Sequence, residues 1–170
     1  MELPEIFVAE KTIVSATEWI ERDNARHSNL LTMIAHLEID GVSIPGLRLR
    51  GTAFRNLPDR SVTFQLEYHR PRQHGAALSR AEWNPLKGHN NKGLGPKEHR
   101  FIPILGSHLH PFELNWNEAQ KQLKRGNLPI ALPADITPNT FGGLLEFVGK
   151  EFRIKGVQDV LQPEWQADLV

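Results

Sequence analysis

Apolar and polar residues alternate with a period of two through the first half of the chain, a pattern typical of strands with one buried face. Residues 30–50 alternate in this way on either side of Asp40-Gly41, a pair that predicts a tight hairpin turn. Residues 62–69, VTFQLEYH, show the clearest alternation of all. Together these segments predict an antiparallel meander over residues 30–69 with one apolar and one polar face.

The alternation stops after residue 70, and the chain as far as residue 103 is rich in Gly, Pro, Asn and charge. A composition of this kind predicts a long loop. NWNEAQKQLKRGN, residues 115–127, predicts a short helix capped by Asn115 or Asn117. The next segment, TFGGLLEFVGKEF, predicts an amphipathic helix capped by Thr137 or Asn139, with close packing at its glycine pair.

FRIKGV then predicts a final short strand, and the tail LQPEWQADLV is expected to be tied down by Trp165. The predicted fold class is therefore α+β: an antiparallel β-meander or sheet with one face covered by two or three short helices. We expect a single domain over residues 1–170. Its parts are the meander at 30–69, a basic loop region at 70–103, and a His-x-His strand, two helices and a tail at 104–170.

Composition narrows the chemistry available to the protein. The chain has no cysteine, which excludes disulfides, thiolate zinc sites and thiol catalysis. Its beginning, MELPEIFVAEKTIV, does not have the pattern of a signal peptide. No apolar run approaches the roughly 20 residues needed to cross a bilayer. We expect a cytoplasmic protein with no membrane partner.

The net charge of zero conceals an uneven distribution along the chain. Residues 1–40 hold eight acidic and three basic side chains, whereas residues 69–100 hold seven basic and two acidic ones together with four histidines. A basic block of this kind can attract phosphate or another anion. The alternative is a solvated loop whose charge is balanced by the acidic N-terminal segment.

The segment SHLHPF carries the strongest candidate chemistry. If it is extended, His108 and His110 project from the same face. Two such imidazoles can hold a divalent metal, which is the candidate cofactor, or act as a catalytic acid–base pair. His89 is the first choice for a third metal ligand, followed by His99 and Glu113. The alternative is that both histidines only bind the backbone and need no ligand.

The glycine-rich segment GHNNKGLGPKEHR and the RAEW stretch before it supply further candidates. Glycines let backbone N–H groups approach an anion, and the nearby cations can neutralise phosphate. The tryptophan among these bases can stack on a nucleobase, or it can anchor the loop in the core. The candidate ligand-binding residues are Arg80, Trp83, His89, Asn90, Lys92 and Arg100.

The order of these motifs resembles a group of uncharacterised bacterial and phage-associated proteins. It runs from Arg80-x-x-Trp83 through His89-Asn90 and a Gly-Pro turn to Gly-x-His108-x-His110. The resemblance covers roughly residues 60–165. It implies that the three histidines belong to one site, and it implies no particular activity.

Three functions follow from these features. The first is a binding module that grips nucleic acid, another anionic ligand or a protein partner through the basic, histidine-rich loop. The alternative is a small nuclease or other phosphate-directed hydrolase in which His108 and His110 act as an acid–base pair or as metal ligands. In the third, the histidines only stabilise the fold. A complete catalytic set is not visible in the sequence, which favours the binding module.

Overall fold

A mostly antiparallel sheet of nine strands forms the body of the protein in the computed structural model, which describes residues 1–21, 29–70 and 75–166. The strands are β1 Lys11–Ala16, β2 Ile20–Glu21, β3 Leu30–Ile39, β4 Val42–Phe54, β5 Val62–Tyr68, β6 Ala76–Trp83, β7 His108–His110, β8 Trp116–Asn117, β9 Gln122–Leu123, β10 Leu132–Pro133 and β11 Ile154–Lys155. The α-helices are α1 Leu3–Val8, α2 Phe112–Asn115 and α3 Phe141–Phe152. Two short 3₁₀ turns span Lys97–His99 and Val157–Asp159.

The sheet runs in the order β10-β7-β6-β5-β4-β3-β1-β11, with β2 added alongside β3 and a separate hairpin of β8 and β9. All neighbours in the large sheet are antiparallel except β1 and β11. Asp40 and Gly41 take φ angles of 52° and 73° at the predicted hairpin turn between β3 and β4. The α+β fold class predicted from the alternation is confirmed.

One face of the sheet is apolar and lies under helices α1 and α3. Its central strands contribute fully buried side chains such as Leu49, Phe64 and Leu66, and α3 covers them with Leu144 and Phe152. Burial of this apolar surface is the main driving force for folding. Within the described residues, no helix is both long and apolar enough to cross a membrane.

Helix α3 matches its prediction in extent, but its cap differs. Thr140 is the N-cap and accepts a hydrogen bond from Gly143 N, so the prediction of Thr137 or Asn139 as the cap is wrong. Asn139 instead accepts the indole N–H of Trp83 at 2.6 Å. The expected close packing at the glycine pair is present: a Cβ on Gly143 would lie 1.9 Å from the carbonyl oxygen of Pro138.

Two local predictions were wrong. The predicted loop contains strand β6, because β5 offers it an antiparallel partner along its whole length. The predicted helix over residues 115–127 is instead the single turn α2 followed by the β8–β9 hairpin. Asn117 Oδ1 accepts from Gln120 N and closes the turn of this hairpin, and the Asn115 carbonyl accepts from Lys124 N. These hydrogen bonds compete directly with a helix.

The opposite face of the sheet is polar along β4, β5, β6 and β7. Antiparallel register aligns Gln65 with Arg80, Arg80 with His110 and Glu82 with His108. Residues directly opposite one another in a sheet project from the same face. The sheet therefore brings an arginine, a glutamate and the two predicted histidines together at the β6–β7 pair.

Candidate metal centre

The two histidines of the H-x-H motif lie side by side on β7, deep in the protein. His108 and His110 are 1% and 0% exposed, and their ring centroids are 5.2 Å apart. Strand β7 is held between β6 and β10, so both backbone positions are fixed from either side. Both imidazoles project from the same face of β7, as the sequence predicted.

His89 reaches the same place from the long loop between β6 and β7. Its backbone exchanges two hydrogen bonds with Ile104, each 2.8 Å, in an isolated antiparallel bridge. Its ring centroid lies 5.5 Å from that of His108 and 4.7 Å from that of His110. One nitrogen from each of these three rings lies within 4.8 Å of the other two. His99 and Glu113, the other candidate third ligands, do not belong to this group.

Each of the three rings uses one nitrogen to bind a backbone carbonyl. His108 Nδ1 lies 3.0 Å from Gly106 O, His110 Nδ1 lies 2.7 Å from Leu128 O, and His89 Nε2 lies 3.0 Å from Pro129 O. A carbonyl can only accept, so we assign the ring proton to these nitrogens. The other nitrogens, Nε2 of His108 and His110 and Nδ1 of His89, then keep their lone pairs. Metal-binding histidines are commonly oriented by hydrogen bonds of this kind.

The Nε2 atom of His108 is buried and has no hydrogen-bond partner. An unpaired buried nitrogen of this kind costs about 1–3 kcal/mol and is rare in native proteins unless a water or an ion satisfies it. If His108 only stabilised the fold, the hydrogen bond of Nδ1 would be explained, but Nε2 would remain without a partner. A metal ion would satisfy Nε2.

Glu82 brings a carboxylate to the two histidines of β7. Its Oε1 lies 3.4 Å from His110 Nε2, and its Oε2 lies 3.5 Å from His108 Nε2. Ligand bonds of about 2.0–2.1 Å around a tetrahedral ion place neighbouring donor atoms about 3.3 Å apart. The observed separations are close to that value, so Glu82 is placed to supply a fourth donor. Sequence reasoning did not select this residue.

Arg80 closes the site on the side of β5. Its Nε donates to Glu82 Oε1 at 2.9 Å, and its Nη2 lies 3.1 Å from His110 Nε2. Burial lowers the pKa of Arg80, while the charge of Glu82 opposes that shift. Burial raises the pKa of Glu82, whereas the charge of the Arg80 guanidinium, whose Nε lies 2.9 Å from Glu82 Oε1, lowers it. This ion pair favours the ionised form of Glu82, which is the form that can bind a metal.

Burial lowers the pKa of His110 to about 4, even though Glu82 partly offsets this effect. Its imidazole is consequently neutral near pH 7. A neutral imidazole is the form that binds metal ions, and it is a poor general acid. Between the two predicted roles for the H-x-H pair, this environment favours metal ligand over acid–base partner.

Asn91 fastens the His89 loop to the rest of the protein. It is 1% exposed, its Oδ1 accepts from Ala131 N at 2.8 Å, and its Nδ2 donates to Ala131 O at 3.0 Å. The same Oδ1 lies 3.1 Å from His89 Nε2. The sequence prediction selected the neighbouring Asn90, whose side chain instead accepts from Lys92 N in a local turn.

The other predicted ligand-binding residues lie apart from the centre. Trp83 is 0% exposed and packs beside Phe141 in the core, so its ring has no free face for a nucleobase. Lys92 is exposed at a turn with φ 51°, and Arg100 Nε donates to Gly95 O. Arg80 is the only predicted phosphate-binding cation that contacts one of the three histidines within the described part of the chain.

No protein-family model, curated protein sequence or solved structure matched this chain in the comparisons with known proteins.

Proposed function

We propose that this protein is a metal-dependent hydrolase of phosphoesters, with His89, His108 and His110 holding a divalent transition metal. The observation that carries the proposal is the convergence of three histidine nitrogens within 4.8 Å of one another, beside a carboxylate. Imidazole and carboxylate donors suit zinc and neighbouring first-row metals. The proposal takes up the phosphate-directed hydrolase that the sequence offered as an alternative.

The chemistry follows from what such an ion supplies and from what the chain places beside it. A bound divalent metal activates water near neutral pH and polarises a phosphoryl oxygen. Glu82 completes the donor set at the face where its side chain is 27% exposed. Arg80, which is 16% exposed, presents a cation to the developing negative charge of a phosphoryl group. Both side chains are partly exposed, which is the accessibility that a substrate would require.

The proposal is tested by hydrolysis of bis(p-nitrophenyl) phosphate and of labelled single-stranded RNA and DNA. The protein is first stripped with a chelator and then given one equivalent of zinc, manganese or cobalt. We expect cleavage that is absent after stripping, returns with metal and is lost in His110→Ala. His36→Ala is the matched control, because His36 is exposed and its strand β3 is separated from β6 by β4 and β5.

The assay also separates the proposal from the binding module that the sequence favoured. Retarded but uncut nucleic acid, with metal bound and no turnover of the small diester, would overturn the hydrolase and support the binding module. Cleavage that persists in His110→Ala and in chelator would show that a contaminating enzyme or another site is responsible.

A further inference from the structure

A second cationic side chain follows Arg80 across the polar face of the sheet. Arg50 on β4 lies opposite Gln65 on β5, and Gln65 lies opposite Arg80 on β6. Neighbouring strands are about 4.8 Å apart, so the backbones of Arg50 and Arg80 are separated by roughly 10 Å. The Arg80 guanidinium contacts Glu82, His110 and the Asn127 carbonyl, so in a ligand site between the two arginines Arg80 contributes mainly its charge and Arg50 contributes the free donors. Arg80 also borders the candidate metal centre, so a ligand in such a site would lie beside the metal.

Arg50 is held in place by a buried carboxylate. Its Nε donates to Glu67 Oε1 at 2.6 Å, and Gln65 Nε2 donates to the same oxygen at 2.6 Å. Arg48 occupies the other oxygen of Glu67 at 2.8 Å. Glu67 is 4% exposed, whereas the side chain of Arg50 is 33% exposed. Both oxygens of the buried Glu67 carboxylate are thus hydrogen-bonded within the protein. The same contacts position Arg50 with part of its side chain exposed to solvent.

Most of the hydrogen-bonding capacity of Arg50 remains unused. A guanidinium carries five N–H donors, and within the described residues only Nε of Arg50 donates to the protein. The charge of Arg50 also acts on Arg80 as a like charge. Arg48, Arg50 and Arg80 are paired with two carboxylates, Glu67 and Glu82, so this group of ion pairs holds one more positive than negative side chain before any metal binds.

We propose that Arg50 and Arg80 form an anion-binding site that seats a phosphate group of the substrate beside the metal centre. This inference rests on the proposed function and names the part of the protein that recognises the substrate. Guanidinium groups match the oxygens of phosphate with paired hydrogen bonds. It places substrate recognition on the sheet face, and not on Lys92 and Arg100 of the basic loop.

The test measures binding of isotope-labelled inorganic phosphate by equilibrium dialysis, with zinc-loaded and metal-free protein in parallel. Arg50→Gln should weaken phosphate binding about tenfold or more, the loss expected for a charge-assisted hydrogen bond. It should leave the bound zinc at the wild-type level. Arg50→Lys keeps the charge next to Glu67 and should weaken binding less. Arg60→Gln is the matched control, since Arg60 is exposed in the turn between β4 and β5.

Thermal unfolding of each variant shows whether a loss of binding reflects a loss of fold, and Arg50→Lys remains informative if Arg50→Gln does not fold. Unchanged phosphate affinity in a folded Arg50→Gln or Arg50→Lys protein would overturn the inference. Acetate that competes as well as phosphate would overturn the assignment to phosphate. The two proposals can also fail separately. If the protein does not hold zinc but still binds phosphate through Arg50, the anion site is supported and the proposed metal-dependent function is wrong.

Discussion

Replacing His108 with leucine should have opposite effects on stability in the absence and in the presence of metal. The side chain is 1% exposed and its Nε2 has no partner. Leaving such an atom buried costs about 1–3 kcal/mol, and leucine removes that cost while still filling most of the side-chain volume. The substitution also loses the hydrogen bond to the Gly106 carbonyl, worth about 0.5–1.5 kcal/mol. Gly106 is exposed, so water can replace that bond and the loss falls at the lower end.

The metal-free His108→Leu protein should therefore be about 1 kcal/mol more stable than the wild type. Zinc reverses the order. A ligand at a free concentration 100 times its dissociation constant stabilises the folded state by about 2.7 kcal/mol, and only the wild type keeps the complete site. With zinc, the wild type should be the more stable of the two by roughly 2 kcal/mol.

Urea unfolding followed by circular dichroism measures both differences, once in chelator and once in buffered zinc. His36→Leu serves as the control for a histidine outside the cluster and should show no change in its response to zinc. The reasoning is refuted if His108→Leu is clearly less stable than the wild type in chelator, because Nε2 would then be satisfied within the fold. It is also refuted if zinc stabilises both proteins equally.

Three other predictions concern substitutions at particular contacts in the structure. Burial alone would raise the pKa of Glu67, but the flanking arginines lower it to about 2. The ionised form of Glu67 therefore stabilises the fold above about pH 4.5. This contribution to stability disappears as the pH falls towards 2. In Glu67→Gln the free energy of unfolding, measured in urea, should fall less steeply than in the wild type between those values, and parallel curves would contradict this. Arg80→Gln removes a cation and a donor from a ligand nitrogen, so zinc affinity measured by competition with a chromophoric chelator should rise about fivefold; unchanged or weaker binding would count against the assigned ligand atoms. Gly143→Ala should lower the free energy of unfolding by about 2 kcal/mol or more because its Cβ would lie 1.9 Å from Pro138 O. Gly142→Ala, whose Cβ would meet nothing closer than 3.9 Å, should instead raise it by about 0.5–1 kcal/mol, and equal effects of the two changes would contradict the packing described for α3.

The parts of the fold that were predicted correctly are those specified by neighbouring residues in the sequence. The β3–β4 hairpin depends on Asp40-Gly41, and α3 depends on an apolar stripe that recurs every three to four residues. Signals of this kind act within a few residues of one another. They can therefore be recognised without knowledge of the tertiary structure.

The wrong predictions concern segments whose structure depends on distant partners. Asn115 was predicted to cap a helix, but its side chain instead accepts from Ile130 N and donates to Ile130 O and Pro111 O. Strand β6 was assigned to a loop because residues 70–103 as a whole are rich in Gly, Pro, Asn and charge. Its pairing with β5 over Val62–Tyr68 decides the outcome, and that pairing cannot be read from β6 itself.

In the candidate site, too, residues with a local sequence signal were predicted, and residues brought in by distant contacts were missed. The period-two spacing placed His108 and His110 on one face, and His89 was chosen as the third residue of the group that the structure brings together. Metal binding by this group stays a prediction. Glu82, Asn91 and Arg50 were missed because they join the site through strand register and loop packing. The alternation of Arg80 and Glu82 with the buried Ala81 and Trp83 was the available sign that this segment is a strand with a polar face.

Cobalt binding tests the metal centre most directly. Protein stripped of metal is titrated with cobalt(II), and both the bound cobalt per chain and the visible absorption of the ion are measured for the wild type, His89→Ala, His110→Ala and His36→Ala. We predict one tightly bound cobalt per chain, with the strong absorption of a low-coordinate site, in the wild type and His36→Ala. The His89 and His110 variants should lose it. Equal cobalt binding by all four proteins, or none by the wild type, would contradict the proposal that these histidines form a metal centre.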